Sequence, residues 1–256
     1  MKILVAIPAY NCEKQIGRVL DEIDDELAAQ VEEIAVIDNG SSDKTVEVAL
    51  AYKNTGRLKN LHVYQNKRNV NLGGTHKVAF LKATAMGCTH VAILHGDNQA
   101  KSDELSRLFE FAKAHPDQQT VLGSRFSKGS VLQGYDWKRI FGNRALNTLY
   151  SALTFKKCSD LGSGLNLFAL ADLDQKTYLE FADKLTFNFE LLLDLITRRV
   201  RFAYVPITWR EEDQVSNARN FNIAKIAFSN LMRWRFGGMH YEQTKTPDNY
   251  QCEEKL

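Results

Sequence analysis

Five short apolar runs recur along the first half of the chain: Lys2–Ile7, Ile34–Ile37, Leu61–Tyr64, His90–Leu94 and Thr120–Leu122. Each is followed by a polar or glycine-bearing turn, and helical periodicity fills the stretches between them, as with Ile16, Val19, Leu20, Ile23 and Leu27. Ser41-Ser42-Asp43 offers capping chemistry for a helix carrying Val46, Ala49 and Leu50. A Gly73-Gly74 turn leads into a helix around Val78 and Leu81, and Lys101–His115 is a further helix ended by Pro116. Strands alternating with helices through short turns specify an α/β fold, a Rossmann-like, mostly parallel sheet with helices on both faces. In such sheets ligands bind beyond the carboxyl ends of the strands. That rule selects Pro8–Asn11, Asp38–Ser41, Asn66–Gly74, His95–Gln99 and Gly123–Phe126, all polar or glycine-rich.

The second half changes character. A helix is expected over Trp137–Thr154, then a polar glycine turn, Ser159–Gly164, and an apolar segment, Leu165–Leu170. Another helix follows near Asn188–Arg198, a strand over Phe202–Val205, and a helix over Ile223–Phe236 that is apolar on most of its circumference. With no repeat or low-complexity linker, the expectation is one domain over 1–217. The helix and tail of 218–256 would pack on it, on a second copy in a homodimer, or on a membrane surface. A formal net charge of +2 without a dense basic stripe argues against a nucleic-acid partner. Scattered Cys12, Cys88, Cys158 and Cys252, with no apolar run long enough to span a bilayer, point to a cytoplasmic protein able to sit at the inner face of a membrane.

Four of the loops carry recognisable chemistry. Tyr10, beside Pro8, can stack on a nucleobase or serve as a core tyrosine at a turn. Asp38 and Asn39 offer acceptors for a base and ribose, or cap a helix through a glycine turn. Asn71 and Gly73 precede a helix whose N-terminus favours an anion, although the pattern is not G-x-G-x-x-G. His95, Asp97 and Gln99 alternate after a strand, so they share one face if the chain stays extended. Imidazole, carboxylate and amide oxygen are ligands for Mg²⁺ or Mn²⁺, with donor phosphates completing the shell; the plainer reading is a turn with one hydrated aspartate.

Taken in order, I-P-A-Y-N, I-D-N-G-S-S-D-K-T, N-x-N-L-G-G, H-G-D-N-Q, G-S-R-F and S-D-L-G-S-G resemble the family 2 glycosyltransferases of GT-A fold. The branch they resemble most is the dolichyl- or polyprenyl-phosphate mannosyltransferase-like one, over about Lys2 to about Asn217. The resemblance implies that Pro8, Tyr10 and Asn39 bind the nucleobase, with Ile37 beside them; Asp38, Asn71 and Gly73 join them as donor-binding candidates from the loop chemistry above. It implies that Asp97 and Gln99 hold the metal and donor phosphates, with Gly96 against the donor and Arg125 on its diphosphate or sugar.

Departures from the family pattern matter as well. His95 replaces the first acid of the usual Asp-x-Asp, and Leu165-Asn166 replaces Phe-Arg. Asn39 stands where the family has a second acid, and one amide oxygen suits the single N3–H of uracil or thymine, so a uridine or thymidine donor is expected over a guanosine one. Asp160 or Glu190 would be the general base for a sugar-hydroxyl acceptor, whereas a lipid phosphate needs none. Arg210 is a phosphate-contact candidate, with Arg219 in reserve. The expected activity is metal-dependent, inverting transfer from a nucleotide-sugar donor to a polyprenyl-phosphate or lipid-linked saccharide acceptor. The rivals are an inactive nucleotide-sugar-binding scaffold, suggested by His95 and Asn166, and a nucleotidyltransferase, whose glycine-rich basic first loop is not Pro8–Asn11.

Overall fold

Side chains of β1 (Ile3–Ala9) alternate between two interiors: Leu4 and Ala6 face one, and Ile3, Val5 and Ile7 face the other. An uninterrupted apolar run suits that position because helices cover both faces of the sheet. The computed structural model describes residues 1–213, 220–238 and 245–256. After β1 come α1 (Ile16–Asp21), α2 (Asp25–Ala29), β2 (Glu33–Asp38), α3 (Thr45–Asn54), β3 (Leu61–Asn66), α4 (Asn71–Ala85), β4 (His90–Leu94), α5 (Leu105–Ala114) and β5 (Thr120–Ser124). The second half adds β6 (Val131–Gln133), α6 (Trp137–Thr154), β7 (Leu165–Ala169), α7 (Gln175–Glu180), α8 (Phe187–Thr197), β8 (Phe202–Pro206), β9 (Thr208–Arg210), α9 (Asn220–Phe236) and β10 (Cys252–Lys255).

The main sheet has eight strands in the order β10-β3-β2-β1-β4-β7-β5-β8. Its first four parallel strands diverge from β1, with β2 on one side and β4 on the other, which opens a crevice at their carboxyl ends. β7 runs antiparallel between β4 and β5, in the register Leu94↔Leu165. The apolar segment Leu165–Leu170 is thus a reversed strand. Its reversal brings the Ser159–Gly164 turn to the same sheet edge as the exits of β4 and β5. β6 and β9 form a small parallel pair, and β10 pairs antiparallel with β3.

Three local expectations need correcting. Gly73 and Gly74 lie in the first turn of α4 and not in a turn ahead of it; Asn71, at φ 59°, makes the entry. A Cβ on Gly73 would sit 2.6 Å from the Ala182 carbonyl oxygen and from Phe187 Cβ, so this glycine lets α4 close on the 182–187 turn and is not turned to a donor. Of Ser41, Ser42 and Asp43, only Asp43 serves the start of α3, through the amide of its first residue, Thr45. Asp43 accepts from the Thr45 and Glu13 amides at 3.0 and 3.1 Å, tying the first two exit loops together.

The third concerns α9, which buries Ala227, Asn230 and Leu231 while Ile226, Phe228 and Phe236 stay exposed, a narrower apolar stripe than expected. Tyr150 of α6 donates to its Ala227 carbonyl at 2.7 Å, and Trp234 donates to Thr197 of α8 at 2.7 Å. Among the described residues no helix is long and apolar enough to cross a membrane. Ser216, Asn217 and Arg219, and with them the 217/218 boundary, lie outside the described residues.

Candidate active site

β1 and β4 lie side by side, so their exit loops meet. The Gly96 amide donates to the Pro8 carbonyl at 2.9 Å, and a Cβ on Gly96 would fall 3.1 Å from that oxygen and 3.3 Å from Ala9 Cβ. Gly96 thus lies against the first loop, where its lack of a side chain lets the two turns close. The Asn39 amide donates to the Ala9 carbonyl at 2.9 Å and brings the second loop alongside. Asn11 and Ser41 complete the staple: the Asn11 amide donates to Ser41 Oγ at 2.9 Å, and the Ser42 amide to Asn11 Oδ1 at 2.8 Å. At this edge Tyr10 is 45% exposed, while Pro8 and Ile37 are buried in the sheet.

The polar groups of the second loop are occupied. Asp38 is fully buried, and its carboxylate accepts from the Gly40 and Ser41 amides, the Ser41 hydroxyl and Gln65 Nε2. Asn39 Oδ1 accepts from the Val70 amide at 2.9 Å and Asn66 Nδ2 at 3.1 Å, and its Nδ2 donates to Asn69 Oδ1 at 3.0 Å. Both lone pairs of the Asn39 oxygen are used, so this side chain does not present the free acceptor expected of it. Its role is to bind the 66–70 loop to β2. Asn66 and Asn69 are the partners that sequence reading passed over; a run of asparagines at a strand exit was the available signal.

The fourth loop departs from the extended geometry that would align three ligands. β4 ends at Leu94, residues 96–98 turn, and Asn98 has φ 58°. His95 Nε2 lies 3.3 Å from Nε2 of the buried His76, and a side chain on Gly164 would fall 2.8 Å from the His95 Nδ1. Both ring nitrogens therefore face protein. Burial lowers the pKa of each imidazole; for His76 the neighbouring His95 adds to this, and for His95 the pull of Asp97 is set against the push of Arg125. His95 is a neutral floor residue, not an outward ligand. Asp97 and Gln99 remain on the turn, joined by a Gln99 amide that donates to Asp97 Oδ1 at 3.3 Å.

Arg210 holds this turn from behind. It donates to Glu22 at 2.7 and 3.1 Å, to Asn98 Oδ1 at 2.9 Å and to the Ala100 carbonyl at 3.3 Å. A guanidinium committed to a bidentate carboxylate and to the buried Asn98 is a clamp, which corrects its reading as a phosphate contact.

Arg125 and Asp160 meet where β5 and the reversed β7 bring their loops together. Arg125 Nε and Nη2 donate to the two Asp160 oxygens at 2.8 and 2.7 Å, Nη2 also reaches the Gly162 carbonyl at 2.9 Å, and the ion pair is 11% and 2% exposed. Burial would lower the arginine pKa, but Asp160 outweighs it and the guanidinium stays charged. The Arg125 and Gly162 amides fill the remaining acceptor sites of Asp160 at 2.9 and 3.2 Å. Asp160 is not presented as a proton acceptor. Glu190 accepts from the Ala182 amide at 2.6 Å beside Lys77, Asp183 and Lys245; burial raises its pKa, and its carboxylate secures the 182–187 turn. Asp160 is thus committed to Arg125 and two main-chain amides, whereas Glu190 has one oxygen bonded, to the Ala182 amide.

Among the described residues no three His, Cys, Asp or Glu side chains gather as a self-sufficient metal site. One carboxylate and one amide oxygen, Asp97 and Gln99, fit a hard divalent cation only if a ligand supplies the rest of its oxygen shell, as a diphosphate does.

The profile of glycosyl transferase family 2 matches residues 4–173. The chain is similar to the polyprenol monophosphomannose synthase of Mycolicibacterium smegmatis, 25% identical over 241 residues, covering 92% of this chain and 84% of that protein. It is 22% identical over 246 residues to the UDP-N-acetylglucosamine–dolichyl-phosphate N-acetylglucosaminyltransferase of Methanococcus voltae, covering 92% and 96%. Among solved structures, glucosyl-3-phosphoglycerate synthase from Mycobacterium tuberculosis, in complex with Mn²⁺, UDP and phosphoglyceric acid, superposes with a TM-score of 0.67 at 18% identity, covering 93% of this chain and 80% of that one.

Proposed function

The chain belongs to glycosyl transferase family 2 and is a glycosyltransferase of GT-A fold, and from that premise we propose that it transfers a sugar from a uridine or thymidine diphosphate donor to a polyprenyl phosphate. The observation that carries the acceptor is the commitment of Asp160, the candidate base at the β5 exit, to Arg125 and to two main-chain amides. A sugar hydroxyl must lose a proton as it attacks, whereas a phosphate oxygen arrives ionised. Two relatives named for polyprenol and dolichyl-phosphate chemistry support the same choice.

The reading divides the work among this chain's own residues. The exposed Tyr10 ring stacks on the base. Guanine, with its N1–H and N2 amino group, would need a free acceptor side chain, and Asp38 and Asn39 are saturated. A pyrimidine asks for one acceptor, which a main-chain carbonyl can supply. Asp97 and Gln99 would hold a Mg²⁺ or Mn²⁺ ion, and such an ion would supply positive charge against the diphosphate. Arg125 reaches the donor through Nη1, the nitrogen that takes no part in the pairing with Asp160. Direct in-line attack by the acceptor inverts the anomeric carbon.

Calorimetric titration with UDP, dTDP and GDP, each with Mn²⁺ and with chelator, tests the donor half. UDP or dTDP is expected to bind about tenfold tighter than GDP, the worth of about one net hydrogen bond. Chelation weakens binding of each. A preference for GDP would overturn the base assignment, and affinity indifferent to chelation would overturn the cation assignment.

A further inference from the structure

The far side of the 66–70 loop is backed by the end of the chain. β10 pairs with β3 in the register Cys252↔Asn66 to Lys255↔Val63, so the last strand docks on the strand that feeds this loop. The contact continues past the strand: the Lys67 amide donates to the Gln251 carbonyl at 3.1 Å, Lys67 Nζ to Gln251 Oε1 at 2.9 Å, and Arg68 to the Asn249 carbonyl at 3.4 Å. On its near side the same loop carries Asn66 and Asn69, the partners that fix Asn39.

One buried anchor fastens the tail. Tyr250 is 5% exposed, and its ring lies against α4, where a Cβ on Gly74 would be 3.5 Å from its Cε1. Its hydroxyl donates to Asp183 at 2.7 Å and accepts from Lys77 Nζ at 3.0 Å. Lys77 has no exposed side-chain surface, and its ammonium also donates to Asp183 at 2.6 Å and to the carbonyls of Leu179 and Phe181. A charge buried this completely needs every partner, so the tyrosine hydroxyl is fixed in space. The transfer reaction as described uses none of these residues.

We infer that the segment 245–256, anchored by Tyr250 on Lys77 and Asp183, is a positioning wall for the nucleotide-side loop, so that the end of the chain sets donor affinity. The inference rests on the nucleotide reading of the β1 and β2 exits. Lys77, Asp183 and Tyr250 act through the 66–70 loop and touch no donor; they are positioning residues. Loosening the wall frees Asn66 and Asn69 from Asn39 and leaves the Asp97 turn, on the other side of β1, in place.

Two variants test it: Tyr250→Phe, which removes only the hydroxyl, and a chain ending at Asn249. The probes are UDP, dTDP and GDP with Mn²⁺, alongside donor KM and kcat and thermal unfolding. For Tyr250→Phe, Kd and donor KM should rise about 3- to 10-fold with kcat within about twofold, the size of coupling carried by residues that touch no ligand. The shortened chain should show a larger rise with the same split. Unchanged nucleotide affinity in folded Tyr250→Phe protein overturns the inference, as does a fall confined to kcat and binding stoichiometry in proportion to the unfolded fraction. If the shortened chain does not fold, Tyr250→Phe decides alone. If the unaltered protein binds none of the three nucleotides, the nucleotide reading itself fails, and this inference fails with it.

Discussion

Asp97→Asn should lower glycosyl transfer by about 100- to 1,000-fold while leaving the protein folded. Asp97 is the one carboxylate on the turn that follows β4 at the crevice. Asparagine keeps the volume and one oxygen but gives up the charge that a divalent cation requires. The loss should appear in kcat, because the cation counters charge that grows as the diphosphate departs. Mn²⁺ should no longer tighten nucleotide binding in this variant. His95→Asn separates the two readings of this loop: an imidazole packed on His76 and Gly164 can be replaced without loss of the Mn²⁺ response, whereas a ligand cannot. Activity in Asp97→Asn close to that of the unaltered protein would remove the cation from this turn.

The largest effect on stability should come from splitting Arg125 and Asp160. The pair is almost out of water and bonded at 2.7 and 2.8 Å, so truncating either partner leaves a charge without its counter-ion. Asp160→Ala is expected to cost about 3–5 kcal/mol, a drop of roughly 10 °C in melting temperature. Arg125→Met should cost about as much. The double variant Arg125→Met with Asp160→Leu should recover most of the loss, since apolar groups of similar size replace a buried ion pair at little net cost. Transfer should not return with stability, because Nη1 of Arg125 is assigned to the donor. A double variant as active as the unaltered protein would confine Arg125 to a structural part; additive losses in melting temperature would mean that the two side chains are not coupled.

The five apolar runs and their exits were legible because a strand buried on both faces has few other readings. Leu165–Leu170 was apolar too, but direction is set by the connection that precedes it and not by composition, so the reversal of β7 was not. Aligning His95, Asp97 and Gln99 assumed a straight backbone, and Asn98 in the left-handed region bends it. Asp160, Glu190, Arg210 and Asn39 stand out in the sequence through the family resemblance and their residue types. What those types do depends on partners 35 residues away for Asp160 and 188 away for Arg210, separations that local pattern does not carry. The tail strand β10 was missed for the same reason: Cys252–Lys255 is short, polar and recognisable as a strand only against β3.

Transfer to the acceptor tests the central claim most directly. The purified protein would be given UDP- and dTDP-sugars with Mn²⁺ and either a polyprenyl phosphate in detergent or a free saccharide, and the products followed by mass spectrometry. The account predicts a polyprenyl-phosphate-linked sugar, formed only with the phosphorylated lipid and lost in Asp97→Asn. Sugar transferred to the saccharide hydroxyl and not to the lipid phosphate would contradict it, because such an acceptor requires a base and Asp160 is held by Arg125.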